Sequence, residues 1–193
     1  MFDRGPGVQR TDHDRGVRAV RIALLALGAL LLAACEQTDA AGRCNLEAAQ
    51  AISFTNTEAP DSVVVQAIGP SCDKAVGLYV VRSNEGYPIW SWSAPLAHRF
   101  GDVFAPEDIE HTQTFLDTWA QPSVATTSLA PPWEDVPAGQ TTLDQLTYED
   151  VRARDLPMLC HFSGTARETC VFWEPAAGGA GHMFERDVAE TVE

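Results

Sequence analysis

The sequence contains few basic residues. It has 13 lysine and arginine residues against 27 aspartate and glutamate residues, and its formal net charge at pH 7 is −14. An acidic surface repels phosphate backbones and anionic lipid head groups. The composition therefore argues against nucleic-acid binding and against electrostatic adsorption on a membrane. It leaves a basic partner, a cation or simple solubility as roles for the carboxylates.

The sequence also lacks the short signatures of common enzymes. Gly-x-Ser-x-Gly, His-Glu-x-x-His and a phosphate-binding glycine loop are all absent. We expect no cofactor. A catalytic triad need not be local in sequence, so a hydrolase-like site centred on His98, His161 or His182, with a distant serine and aspartate, stays open as an alternative.

No hydrophobic run is long enough to span a bilayer. The apolar run Ile22 to Ala34 has thirteen residues without a charge and follows Arg15, Arg18 and Arg21. As a helix it would rise only about 20 Å, short of the roughly 30 Å hydrocarbon core. A basic segment followed by a short apolar run is typical of a cleaved export signal.

The end of this run, Leu32-Ala33-Ala34-Cys35, resembles the lipobox of bacterial lipoproteins. The resemblance implies that residues 1–34 are removed, that the Cys35 thiol receives a diacylglycerol, and that the new amino terminus is acylated. These acyl chains would anchor the protein firmly in a bilayer. The alternative is an ordinary secreted protein in which Cys35 forms a disulfide.

Two neighbouring features refine this expectation. Among lipoproteins, Glu36 after the cysteine permits transfer to the outer membrane, which predicts a domain facing the periplasm. The segment before the apolar run carries Asp3, Asp12 and Asp14, which is unusual for a signal peptide. This composition predicts a true translation start near Val17.

Cleavage would leave a tether and one domain. Residues 35–43 are polar and small and predict a lipidated tether, and residues 44–193 predict a single globular domain. Removal of residues 1–34 takes away five of the 13 basic and three of the 27 acidic residues, which leaves eight against 24 and a formal charge of −16.

Four cysteines remain if Cys35 is lipidated, an even number that suits an oxidising compartment. Three pairings are possible, and order in the chain favours Cys44 with Cys72 and Cys160 with Cys170. A zinc site is the rival explanation. The chain has no Cys-x-x-Cys spacing, so we expect no metal there.

Local patterns predict an α+β fold. Expected helices cover residues 45–53, 106–120 and about 142–154, and expected strands cover residues 61–68, 75–82, 87–93, 124–129, 156–162, 169–173 and 182–186. Two pairs of these strands are expected to form hairpins. The pattern predicts one antiparallel sheet of about five or six strands, with two or three helices packed on one face.

Tryptophans are the candidate binding residues. Trp90 and Trp92 fall on one face of their strand, where they would either bind a partner or lie in the core. Trp133 follows two prolines in a loop and is the better candidate for docking, although it could fold over the core instead. A weaker alternative is a cation site formed by His98, Glu107 and His111.

These observations support two classes of function. The first is a non-catalytic, membrane-anchored envelope protein that binds a basic protein or a cell-wall component through an acidic and aromatic surface. An inhibitor of a cationic hydrolase such as lysozyme belongs to this class. The second is a small periplasmic enzyme that uses one of the histidines.

Overall fold

Eight strands in the described part of the chain form two antiparallel sheets. The computed structural model describes residues 43–104 and 109–188. In the first sheet the strands lie in chain order, β1 (Cys44–Ile52), β2 (Asp61–Gly69), β3 (Val76–Arg82) and β4 (Pro88–Pro95). The second sheet has the same arrangement, with β5 (Ser123–Thr126), β6 (Pro157–Gly164), β7 (Arg167–Glu174) and β8 (Gly179–Asp187).

Three helices in this part of the chain accompany the sheets. They are α1 (Leu96–Phe100), α2 (Ile109–Trp119) and α3 (Gln145–Ala153). The longest, α2, packs on β1 and β2, whereas α3 packs on the segment that follows β5. None of the described helices has the length and apolar character needed to cross a membrane.

The fold class is α+β and antiparallel, but the expectation of one sheet of five or six strands is wrong. Consecutive strands pair when a short turn joins them. The chain between β4 and β5 is taken up by α1 and α2, so strand pairing stops at β4 and begins again with β5. Both expected hairpins are present, as β3–β4 and β6–β7.

The expected helix over residues 45–53 is also wrong, because this segment is β1. Every residue of β1 is paired with β2, from Cys44 opposite Gly69 to Ile52 opposite Asp61. The apolar residues Leu46, Ala49 and Ile52 fit helical spacing, but such a short segment has little intrinsic helical stability. The free edge of β2 offers backbone partners along its whole length, which decides the outcome.

A smaller correction concerns the start of α3. The pattern Thr142 to Gln145 predicts a capping box, whereas the structure places Asp144 at the N-cap. The Asp144 carboxylate accepts a hydrogen bond from the Thr147 backbone amide at 2.9 Å, which satisfies one of the unpaired amides of the first turn. The same hydrogen bond lowers the pKa of Asp144.

The first core lies between the two sheets. Alternate side chains of β2 and β3 point into it, and Val63, Val65 and Tyr79 are completely buried. Leu159 and Val171 enter the same core from the second sheet. The two sheets therefore pack face to face across shared apolar side chains, with α1 and α2 completing the layer.

Gly77 on β3 allows α1 and α2 to approach the first sheet closely. A Cβ atom at this position would lie 2.4 Å from Cδ2 of Leu96 and 3.1 Å from the Trp119 ring. Both distances are shorter than ordinary van der Waals contact, and Leu96 is fully buried. A larger residue at position 77 would displace both helices.

The second core lies on the opposite face of the second sheet. Its buried members come from β6, β7, β8, α3 and the preceding loop: Ala130, Tyr148, Val151, Met158, Cys160, Cys170, Phe172, Met183 and Phe184. The second sheet is therefore buried on both faces, and the domain is layered as first sheet, first core, second sheet, second core and α3.

Both favoured disulfides are present. Cys44 is bonded to Cys72 and Cys160 to Cys170. The first bond joins the start of β1 to the turn after β2, and the second links directly opposite residues of β6 and β7. Cys35 lies outside the described residues, as do the proposed signal segment and almost all of the tether.

Candidate functional site

His161 is the centre of a buried aromatic cluster between the sheets. Its ring stacks on the Tyr79 ring with the centroids 4.1 Å apart and the planes 14° from parallel. Trp92 approaches edge-on at 6.1 Å. Only 2% of the His161 surface is exposed. Side-chain alternation explains the position, because His161 lies two residues after Leu159 on the core face of β6.

Hydrogen bonds fix the tautomer of this histidine. Indole nitrogen can only donate, so the 3.3 Å contact from Trp90 Nε1 requires an unprotonated Nε2 on His161. Nδ1 lies 3.0 Å from the Phe162 carbonyl oxygen, which can only accept, so Nδ1 carries the proton. Both ring nitrogens are thus satisfied in the neutral form. Burial lowers the pKa of His161 to about 4, in agreement with this geometry.

Several polar groups around His161 and Tyr79 are buried without a hydrogen-bond partner. They are the hydroxyls of Tyr79, Ser163 and Thr169, of which Thr169 lies directly opposite His161 in the strand register. Desolvation raises the pKa of the Tyr79 hydroxyl well above its ordinary value. Within the described residues, none of these hydroxyls is hydrogen-bonded to His161. The arrangement is that of a packed histidine rather than an activated serine or threonine.

The other described histidines lie elsewhere. His98 on α1 and His111 on α2 are exposed. His182 on β8 is half-buried, its Nδ1 has no hydrogen-bond partner, and burial lowers its pKa. The histidines suggested for a hydrolase-like site are therefore dispersed over β6 and β8 of the second sheet and over α1.

Trp90 and Trp92 are both half-buried on the core side of β4 and pack against the first core. The Trp90 indole nitrogen is used by His161, and the Trp92 ring meets Trp119 edge-on at 5.7 Å. These contacts are those expected if the two tryptophans lie in the core. A role of Trp90 and Trp92 in binding stays a prediction.

A groove opens beside this cluster. Its cavity volume is about 210 Å³ and its walls are formed by α1, α2 and the turn between β6 and β7, with the lining residues Phe100, Phe115, Thr118, Trp119, Phe162, Gly164 and Thr165. Trp119 Nε1 donates to the Phe162 carbonyl oxygen at 2.8 Å and ties α2 to the second sheet there. The lining contains no titratable group, so the groove can accept an apolar group but cannot transfer protons.

Trp133 lies half-buried at the far side of the second core. Its ring meets Tyr148 edge-on at 5.6 Å, and its backbone amide donates to Glu149 Oε1 at 2.9 Å. The next two residues, Glu134 and Asp135, are exposed. Trp133 thus packs on the second core and is followed in the chain by two exposed carboxylates.

An exposed leucine lies one helical turn from Glu149, the residue whose carboxylate accepts the hydrogen bond from the Trp133 amide. Leu146, on the first turn of α3, is 85% exposed, and residues three apart on a helix are neighbours, so Leu146 lies beside Glu149. We call Trp133, Glu134, Asp135, Leu146 and Glu149 the acidic–aromatic patch. Sequence patterns suggested Trp133 but not Leu146, whose apolar character resembles that of any core-facing residue.

The candidate metal ligands are not brought together in the described structure. Glu107 lies outside the described residues, and neither His98 nor His111 belongs to a group of three possible ligands there. That ligand set stays a prediction.

One such group exists in the described part of the chain, formed by Cys160, Glu168 and Cys170. Both cysteines are in a disulfide, and Glu168 is paired with Arg186 at 2.6 Å. These atoms are committed to other bonds, so the group does not suit a metal.

Comparisons with models of protein families, with curated proteins and with solved structures found no match to this chain.

Proposed function

We propose that this protein is a lipid-anchored, non-catalytic binding module of the bacterial cell envelope, held by acylated Cys35 in the outer membrane with its domain in the periplasm. The partner is a basic protein, with a cell-wall component as the second candidate. The acidic–aromatic patch carries the proposal, because it combines a half-exposed indole and a bare leucine with exposed carboxylates.

The charge distribution supports a basic partner. Glu149 is shared with Arg152, whose Nη1 lies 3.3 Å from Glu149 Oε2. Glu134 and Asp135 have no ion pair among the described residues. A cationic side chain that docks here would find two unneutralised carboxylates and an aromatic face, the combination that favours Arg or Lys at an interface. Electrostatic attraction would also speed the encounter.

The anchor is tested separately from the binding surface. We expect mass spectrometry of the mature protein to begin at Cys35 and to show the added mass of acyl chains, and we expect Cys35→Ala to leave the protein unprocessed or released from the membrane fraction. A mature chain with an unmodified Cys35 would contradict the anchor. The next cysteine along the chain, Cys44, is in a disulfide and therefore cannot accept the lipid in its place.

The patch is tested by affinity capture from detergent-solubilised envelope, followed by titration of each captured protein against the purified chain. The main variant is Leu146→Ser, because an exposed leucine can be changed without disturbing the core. Glu134→Gln with Asp135→Asn tests the charges. The matched control is Tyr87→Ala, an exposed aromatic side chain on the β3–β4 hairpin.

We expect Leu146→Ser to weaken partner binding about tenfold, and the charge variant to weaken it more at low salt than at high salt. Tyr87→Ala should bind as the wild type does. Equal binding by the wild type, Leu146→Ser and the charge variant would remove the patch from the proposal. Trp133→Ala is informative only together with a thermal unfolding curve, since Trp133 also packs on Tyr148.

A further inference from the structure

The outer face of the first sheet carries partly exposed apolar side chains along β2 and β3, with polar side chains of β1 and β4 on either side. Side chains on β2 and β3 alternate between the first core and this face, where Val64 lies opposite Val80 and Ile68 opposite Val76. Ile68 is 44% exposed and Val76 41% exposed. The described helices that pack on this sheet do so through first-core side chains such as Leu116 and are therefore on its other side.

The chain enters the domain beside the most exposed part of this face. The strand register places Cys44 opposite Gly69 and Asn45 opposite Ile68. Arg43, Asn45 and Ile68 line one shallow hollow at this end of the sheet. Residues 36–43 reach at most about 28 Å when extended, so an anchor at Cys35 would hold this end of the sheet close to the bilayer.

Local charge at this face differs from that of the whole chain. The strand positions that point outward carry one carboxylate, Glu47, which accepts a hydrogen bond from Gln66, and one guanidinium, Arg82. Arg43 and Lys74 are exposed at the entry end. Among the described residues, none of these three cations is in an ion pair.

We propose that the outer face of the first sheet lies on the surface of the phospholipid bilayer, with Ile68 and Val76 among the head groups and Arg43 and Lys74 beside the phosphates. The proposal rests on the lipid anchor proposed above. Apolar side chains flanked by cations suit an anionic interface. The acidic–aromatic patch belongs to the opposite outer layer, beyond the second core, and so is presented away from the membrane.

A second copy of the chain is the competing occupant of this face. Two copies would bring Arg82 and the entry-end cations of each into proximity without a matching set of carboxylates on the face. Opposite charge is available from anionic phospholipids instead. The bilayer therefore satisfies the charges that a symmetric dimer would leave opposed.

Lys74 provides a built-in probe, because it is the only lysine in the sequence. The full mature lipoprotein is reconstituted in vesicles of phosphatidylethanolamine and phosphatidylglycerol, and separately in detergent micelles. A membrane-impermeant amine-reactive reagent is added, and mass spectrometry follows the peptide that contains Lys74. The same spectra report the acyl mass on Cys35.

We expect labelling of Lys74 to be about fivefold slower in the vesicles than in micelles, the factor that corresponds to about 1 kcal/mol for one basic side chain at an anionic surface. Ile68→Asp with Val76→Asp should restore the faster rate. Val124→Asp with Leu129→Asp, which changes two exposed apolar residues in the second half of the domain, should leave the slow rate unchanged.

Equal rates in vesicles and micelles, with acylated Cys35, would overturn this orientation and leave the anchor intact. Protection that persists in micelles and increases with protein concentration would overturn it in favour of a second copy. An absent acyl mass would overturn the anchor itself and, with it, this orientation. Thermal unfolding of each double variant shows whether a faster rate reflects a lost contact or a lost fold.

Discussion

The two sheets have the same strand order but different surroundings. The first sheet buries one face, whereas the second is buried on both. In β2, burial alternates along the strand, but in β7 five consecutive residues from Glu168 to Phe172 are buried. Two similar antiparallel meanders therefore have different roles, with the second sheet as the centre of the domain and the first as one of its surfaces.

Charge follows the same division. The four arginines of the second half, Arg152, Arg154, Arg167 and Arg186, are all in ion pairs. The described cations of the first half, Arg43, Lys74, Arg82 and Arg99, are in none among the described residues. The second half satisfies its cations internally, and the first half leaves them available to an external partner.

The largest effect should come from adjacent residues on opposite faces of β6. Leu159 faces the first core and Met158 the second, and both are buried. We expect Leu159→Ala and Met158→Ala each to lower the free energy of unfolding by about 3 to 4 kcal/mol, because each leaves a cavity in a packed core. Urea denaturation under non-oxidising, non-reducing conditions measures both. A small effect for either variant would contradict the burial of the second sheet on both faces.

The next effect is a pH dependence at the boundary between the sheets. Burial lowers the pKa of His161 to about 4, whereas an unfolded chain would titrate near 6.5. Between these values the unfolded state binds more protons, so stability is highest above pH 6.5 and falls as the pH falls to 4. The expected loss from this residue is about 3 kcal/mol.

This loss is measured as the difference between the wild type and His161→Gln in urea denaturation from pH 7 to pH 4. The glutamine removes the titration and keeps an acceptor for Trp90. His182, whose pKa burial also lowers, titrates in the same direction in both proteins. Parallel curves for the two proteins over this range would show that His161 is not held neutral by the packing of the sheets.

A matched pair of valines tests whether the first sheet is buried on one face only. Val65 is fully buried in the first core, and its neighbour Val64 is half-buried on the outer face. We expect Val65→Ala to lower the free energy of unfolding by about 2 to 3 kcal/mol and Val64→Ala by less than about 1 kcal/mol. Equal losses in detergent-solubilised protein would indicate that the outer face is covered even without a bilayer.

The smallest effect concerns the arginines. Arg186 pairs with nearly buried Glu168 at 2.6 Å, whereas Arg82 has no ion pair among the described residues. We expect Arg186→Gln to cost about 1 kcal/mol and Arg82→Gln less than about 0.5 kcal/mol. The difference, measured by thermal unfolding, should shrink in about 1 M NaCl, where the screening length is only about 3 Å. An equal cost for both variants at low salt would contradict the division of charge.

Much of the local structure could be predicted from the sequence because its signals are strong. β-branched runs predicted β2 and β3, and the intervening turn residues predicted the β3–β4 hairpin. The pattern around Ile109 to Trp119 predicted α2 from the spacing of its apolar residues. Gly86, which has φ 87°, lies in the turn of this hairpin.

Other features could not be predicted because they depend on distant partners. Residues 44–52 become a strand because β2 offers a free edge, which local spacing does not reveal. The division into two sheets depends on where pairing restarts after two helices. The stack of His161 on Tyr79 joins residues from different sheets that are far apart in the chain, and no pattern near either residue indicates the other.

Local elements such as β2, β3 and α2 and the acidic charge follow from the sequence alone, because they depend on neighbouring residues and on composition. Three features arise only when the chain is folded: the burial of the second sheet on both faces, the packing of Trp90 and Trp92 on the first core, and the cations without an ion pair among the described residues. The physical reason is that burial and ion pairing are set by contacts between segments far apart in the chain. Those contacts leave exposed apolar side chains and unpaired cations together on the first sheet of an acidic protein.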